Sequence, residues 1–119
     1  MAYLPEIYQE FEREYPTIAK EYGKLALACH KWGPLDEKTR RLVKLGIAIG
    51  LCSEGAVRSH TRRALEIGIS SEEIRHVLLL SFTTIGFPEM QAAMKWIEQV
   101  PGMTPVKKAE KPRGRRKRL

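Results

Sequence analysis

One histidine carries most of the chemistry that this sequence could perform. His60 sits in "SEGAVRSHTRRALEIG", residues 53–68, among small apolar residues and arginines. A free imidazole titrates at about 6.5, so it can take up and release a proton near neutral pH. Arginine forks are fixed cations that hold carboxylates. The stretch therefore offers three readings of His60: a catalytic group, the remnant of a redox motif, or a core histidine satisfied by a hydrogen bond, and the spacing alone leaves all three open.

The thiols are fewer and less suggestive. Cys29 and Cys52 are the two cysteines, and no CxxC occurs. No clustered Cys/His set has zinc spacing, so no metal site is expected. As free cysteines they are expected to be buried and inert, behaving as small hydrophobes, with a Cys29–Cys52 bridge left open. His30 and His76 match no motif and read as solvent-facing or structural.

The elements that must position His60 read as consecutive helices. Pro5 and Pro16 each suit a first helical turn, opening "PEIYQEFERE" and "PTIAKEYGKLALACHKWG". In the second, Ile18, Tyr22, Leu25 and Cys29 recur at helical spacing. Gly33-Pro34 ends it. A third helix starts near "LDEKTRRLV", with Asp36 as N-cap, and runs into "KLGIAIGLC", which is apolar nearly all round and so expected to be buried on every side. In the fourth, at roughly 100° per residue, Ser53, Ala56, Val57, His60, Ala64 and Ile67 share one face. Gly68 stands where a left-handed C-terminal cap is wanted. Ser70 or Ser71 caps the fifth helix, with Glu72 and Glu73 in its first turn. Gly86 and Pro88 break that helix, and the sixth carries Met90, Ala93, Met94 and Ile97 on one side. No strand alternation is found. The expected fold class is all-α, a single domain of about six helices.

Three pieces in order resemble the carboxymuconolactone decarboxylase family, which includes the alkylhydroperoxidase D-like proteins. "LDEKTRRLVKLGIAIG" is similar to the family's entry helix. "VRSHTRRALEIGISSEEIRHVL" is similar to its histidine helix and the helix after it. "IGFPEMQAAM" is similar to its Gly-aromatic-Pro turn and last helix. The resemblance covers a family core (35–100) and leaves outside it the N-terminal helices (1–34) and a basic tail (101–119), which its composition predicts to be disordered.

The resemblance implies an alkylhydroperoxidase D-like helical fold that assembles as a homotrimer or homohexamer; the residues themselves point to the small-residue helix as a contact, and to Trp32 and Trp96 as anchors of helix packing or of a subunit interface. It implies no organic cofactor. Redox members carry CxxC followed four residues later by His. Aligned on His60, those cysteine positions hold Ser53 and Ala56, and the family's upstream glutamate falls near Arg41. A dithiol route needs a resolving thiol one turn away, which Ala56 cannot supply. Cys52 is left as the single redox candidate, rotated roughly 100° from the His60 face. The decarboxylase branch does without the cysteine pair and acts on a small anionic lactone acid. It implies His60 as the general acid/base and arginines as carboxylate clamps, with Arg41 and Arg58 foremost and Arg62 and Arg63 also eligible. Glu54, six residues before His60, lies roughly 120° around the helix from it. A pairing of Arg41 with Glu54 would reverse the usual polarity of such a pocket.

Charge is segregated. The chain carries +7 overall. Residues 107–119 hold eight Lys or Arg and one Glu, while residues 1–106 hold 13 basic and 13 acidic side chains. "KPRGRRKRL" can contact phosphates but has no aromatic residue for base stacking. The expected partners are thus a second copy of the chain, a small anionic substrate, and nucleic acid weakly through Lys107–Leu119. "MAYLPEIYQE" does not read as a secretory signal, and no apolar stretch is long enough to span a bilayer, so no membrane contact and a cytoplasmic location are expected. Three activities compete: acid/base chemistry on a carboxylate or lactone, peroxiredoxin-like chemistry through Cys52, and a non-catalytic oligomer with a nucleic-acid-binding tail.

Overall fold

A computed structural model describes residues 6–107. Among them are six helices and no strand. The chain divides after Asp36 into two compact units.

The first unit holds α1 (Glu6–Glu14) and α2 (Pro16–Lys31), with Pro16 in the first turn of α2 as its fixed φ favours. In α2 only Ala19 and His30 are buried. The stripe Ile18, Tyr22 and Leu25 is exposed. So short a helical pair cannot enclose a core of its own.

The second unit holds α3 (Glu37–Gly50), α4 (Glu54–Glu66), α5 (Ser71–Ile85) and α6 (Phe87–Glu98). Its core is aliphatic. Leu45 and Ile49 of α3, Val57 of α4, Ile74 of α5 and Ile97 of α6 are fully buried, and Met90 and Ala93 join them. Each large aliphatic buried this way contributes about 1.5–3 kcal/mol of transfer free energy. Met94, expected beside Met90, lies outside this cluster and is partly exposed.

Local signals fix the helix ends. The Ser53 hydroxyl accepts the Ala56 N–H at the start of α4. At its end the Gly68 N–H donates to the Leu65 carbonyl at 3.0 Å, and the Ile69 N–H to the Ala64 carbonyl at 3.1 Å. This paired pattern requires a left-handed residue, which Gly68 supplies at φ +91°. Ser70 caps α5 by accepting the Glu73 N–H, and the Glu73 carboxylate accepts the Ser70 N–H in return. Gly86 turns the chain between α5 and α6 at φ +96°.

Two expectations are corrected. First, α3 is not buried on every side: Leu45, Ala48 and Ile49 are buried, but Val43 (45%), Ile47 (59%) and Leu51 (71%) are exposed. Within this unit Leu45, Ala48 and Ile49 belong to the cluster shared with α4, α5 and α6, and the exposed residues fall outside it. Second, ordered packing continues past residue 101. Val100 is buried, Met103 packs against the core, and the Thr104 N–H donates to Ser71 Oγ at 3.0 Å. Residues 108–119 of the expected tail lie outside the described residues.

Candidate functional site

Helix α4 faces the core through Val57, Thr61 and Ala64, all fully buried. His60 flanks that row and is half-buried. Ile67, expected on the same face, lies beyond the last helical turn and is 44% exposed. The His60 imidazole therefore sits at the margin of the core.

Three cations act on it. Arg63 comes from α4, and Lys44 and Arg41 from α3. Burial first, then the charges of Arg63, Lys44 and Arg41, lower the His60 pKa from 6.5 to about 4. At neutral pH the ring is uncharged. Its Nδ1 is buried with no hydrogen-bond partner, as is Oγ1 of neighbouring Thr61. An unmatched buried polar atom costs about 1–3 kcal/mol. The core histidine satisfied by a hydrogen bond is thus not what the fold contains at Nδ1.

Arg41 is held in place from its own helix. Its Nε donates to Glu37 Oε2 at 3.0 Å, and its side chain is mostly buried. The alternative pairing of Arg41 with Glu54 does not form. Glu54 instead accepts from Arg58 Nε at 3.0 Å, one helical turn along α4. Arg58 also donates to Gln99 at 2.6 Å, joining α4 to the end of α6. It is absent from the cations that act on His60. Spacing explains the difference. Arg58 is two residues from His60, roughly 200° around the helix, whereas Arg63 is three residues on and a neighbour on the surface. That (i, i+3) spacing was a usable signal for Arg63. Lys44 had no comparable signal, because its approach to His60 comes from the packing of α3 against α4.

The positions of the redox pair do other work here. Ser53 and Ala56, which align with the two cysteines of redox members, form the N-terminal cap of α4. Cys52 lies in the turn between α3 and α4 with φ +53°. Both Cys52 and Cys29 are free and exposed, not buried as expected. Cys52 falls outside the helix, so it is carried away from the packed face of α4.

A groove of about 580 Å³ runs between α3 and α5, lined by Leu42, Val43, Gly46, Val77 and Leu80, with Glu73 and His76 among its polar groups. His60 is not one of its lining residues. Trp32 is exposed, while Trp96 packs against the core. Among the described residues no cluster of His, Cys, Asp or Glu could hold a metal ion, and no helix is long and apolar enough to cross a membrane.

The titration of His60 has a consequence for stability. The unfolded ring protonates near 6.5 and the folded ring near 4, so between these values the unfolded state binds more protons. Stability should fall as pH drops from about 6.5 to 4 and then level off. With solvent screening of a half-exposed ring, the expected contribution is about 1–2 kcal/mol. Urea unfolding at pH 7 and pH 4 checks this: His60→Gln should lose less stability over that interval than the parent. Equal losses would contradict the assignment.

Comparison with known proteins places these features in a family. The signature of the carboxymuconolactone decarboxylase family matches residues 16–99. An uncharacterized protein of Methanocaldococcus jannaschii is 33% identical over 90 residues, covering 75% of this chain and 86% of that protein. The 4-carboxymuconolactone decarboxylase of Acinetobacter baylyi is 30% identical over 66 residues, covering 56% of this chain and 49% of that enzyme. The crystal structure of a carboxymuconolactone decarboxylase family protein from Legionella pneumophila superposes with a TM-score of 0.68 at 25% identity, covering 76% of this chain and 81% of that one. On the family match, the helical architecture and the solved relative, the chain belongs to the carboxymuconolactone decarboxylase family.

Proposed function

We propose that the protein is a carboxy-lyase-like enzyme that performs acid/base chemistry at His60 on a small carboxylate or lactone acid. The observation that carries this reading is an imidazole with a buried, unpartnered Nδ1 beside Arg41, Lys44 and Arg63. The similarity to the Acinetobacter baylyi enzyme supports the reaction class.

The chemistry follows from the charges. In a decarboxylation the carbon–carbon bond to the carboxylate breaks, and carbon dioxide leaves. The electron pair stays on the remaining carbon skeleton, which must then take up a proton. The cations hold the carboxylates and offset negative charge as it builds. His60 is neutral beside three cations. Once substrate carboxylates offset their charge, protonating the ring becomes less costly, and it can accept a proton and pass it on. Arg41 is fixed by its hydrogen bond to Glu37. Arg58, with its guanidinium engaged by Glu54 and Gln99, has a structural role in this scheme.

Self-association belongs to the same reading. The uncovered row Val43, Ile47 and Leu51 is the kind of apolar surface that a second copy would bury. The experiment that tests the function is turnover of 4-carboxymuconolactone by the parent and by His60→Gln, followed by carbon dioxide release.

A further inference from the structure

We propose that α2 pairs, antiparallel, with α2 of a second copy of the chain through a row of large apolar side chains. This is a different surface from the α3 row Val43, Ile47 and Leu51, and it does not depend on the chemistry at His60.

The row is set by spacing. Ile18, Tyr22, Leu25, Cys29 and Trp32 follow one another at steps of four, three, four and three residues. That alternation keeps side chains in line along one edge of a helix, and it is the pattern that a second helix covers. Trp32 follows the last residue of α2 with helical torsions, φ −62° and ψ −44°, so the line continues through it. All five side chains are exposed. Ile18, Tyr22 and Leu25 are 58–60% exposed and Trp32 is 87% exposed. Cys29 is a free, exposed thiol. The buried residues of α2, Ala19 and His30, lie on a neighbouring line, roughly 100° around the helix from Ile18 and Cys29.

The flanks of the row suit a close helical partner. Beside it stand Ala19, Ala26 and Ala28, with Glu21, which pairs with Lys24 of its own helix at 3.6 Å. Lys20, Lys24 and Lys31 lie outside these flanks, so no like charges meet across the seam. The four large side chains leave on the order of 600 Å² exposed on each copy. A pair would then remove about 1,200 Å², the lower edge of a specific interface.

Side-chain size selects the direction. A parallel pair would set Trp32 against Trp32 and Cys29 against Cys29, leaving the seam wide at one layer and thin at the next. Antiparallel, one register faces every member of the row with another. It pairs Ile18 with Cys29 and Tyr22 with Leu25, a larger with a smaller each time. It also brings Trp32 to Tyr15, whose ring lies 5.3 Å from that of Phe11. Each pair then occurs twice about a two-fold axis. A lipid surface is the rival cover, and charge disfavours it. Helix α1, packed on α2, carries Glu6, Glu10, Glu12 and Glu14 against Arg13 alone, and the anionic leaflet would repel them.

The test compares the full-length parent with full-length Y22E/L25E by sedimentation equilibrium. The variant should have half the parent's mass and keep its thermal unfolding, because both side chains are exposed. Oxidative cross-linking then reads the register. Ile18→Cys in a Cys52→Ser background should give dimers on a non-reducing gel, joined from position 18 of one copy to Cys29 of the other. Cys52→Ser alone should stay uncross-linked. A parent that sediments as a single copy would overturn the proposal. So would a variant of the parent's mass, a cross-link between two Cys29 side chains, or parent binding to phosphatidylserine vesicles that Y22E/L25E abolishes.

Discussion

His60→Gln should lower turnover of 4-carboxymuconolactone by about 10²–10⁴-fold while leaving the helical content unchanged. The range is that expected when a positioned proton-transfer group is removed. Glutamine keeps a polar side chain of similar reach but cannot exchange a proton near neutral pH, so the loss isolates the titration from the packing. The loss should appear in kcat, because the carboxylate clamps remain. Arg41, Lys44 and Arg63 are untouched by the substitution, and KM should change little. Matching rates for parent and variant would remove His60 from the chemistry. A parent with no turnover would exclude this lactone as the substrate.

Leu45→Ala should be the most damaging single truncation in the fold. Leu45 is fully buried in α3, within the cluster that joins α3 to α4, α5 and α6. Removing its side chain loses transfer free energy and leaves a cavity, together costing about 2.7–5 kcal/mol. A domain of this size has about 5–15 kcal/mol in total, so the variant should approach its unfolding limit. The site should suffer as well, because α3 carries Arg41 and Lys44 on the turns around Leu45. Urea unfolding measures the change. A loss below about 1 kcal/mol would mean that α3 is not the centre of the core.

The helix boundaries were legible because their causes are local. Ser70 and Glu73 are three residues apart and satisfy each other's backbone groups. Gly68 lies where only a left-handed residue closes the end of α4. Pro16 and Gly86-Pro88 need no distant partner to act. The covered face of α3 was not legible, since apolar residues occupy both Leu45–Ile49 and Val43–Ile47 positions and the choice is made by neighbouring helices. The same division runs through the site. His60 and Arg41 could be found by their alignment with a family pattern. Arg63 was available from its (i, i+3) spacing to His60, yet Arg58, roughly 200° around the helix from the ring, ranked above it. Lys44 reads as an ordinary solvated lysine before an apolar run. Only the packing of α3 on α4 makes it part of the charge around the imidazole.

The most direct measurement is the NMR titration of the His60 ring, with and without a saturating small dicarboxylate such as succinate. Free protein should titrate at about 4, and bound carboxylate should move that value upward towards 6.5, with proton uptake on binding. Arg41→Gln should weaken the dicarboxylate's hold. A ring that already titrates near 6.5, or one whose titration the dicarboxylate leaves unmoved, would contradict the account of His60 as a neutral base among carboxylate-binding cations.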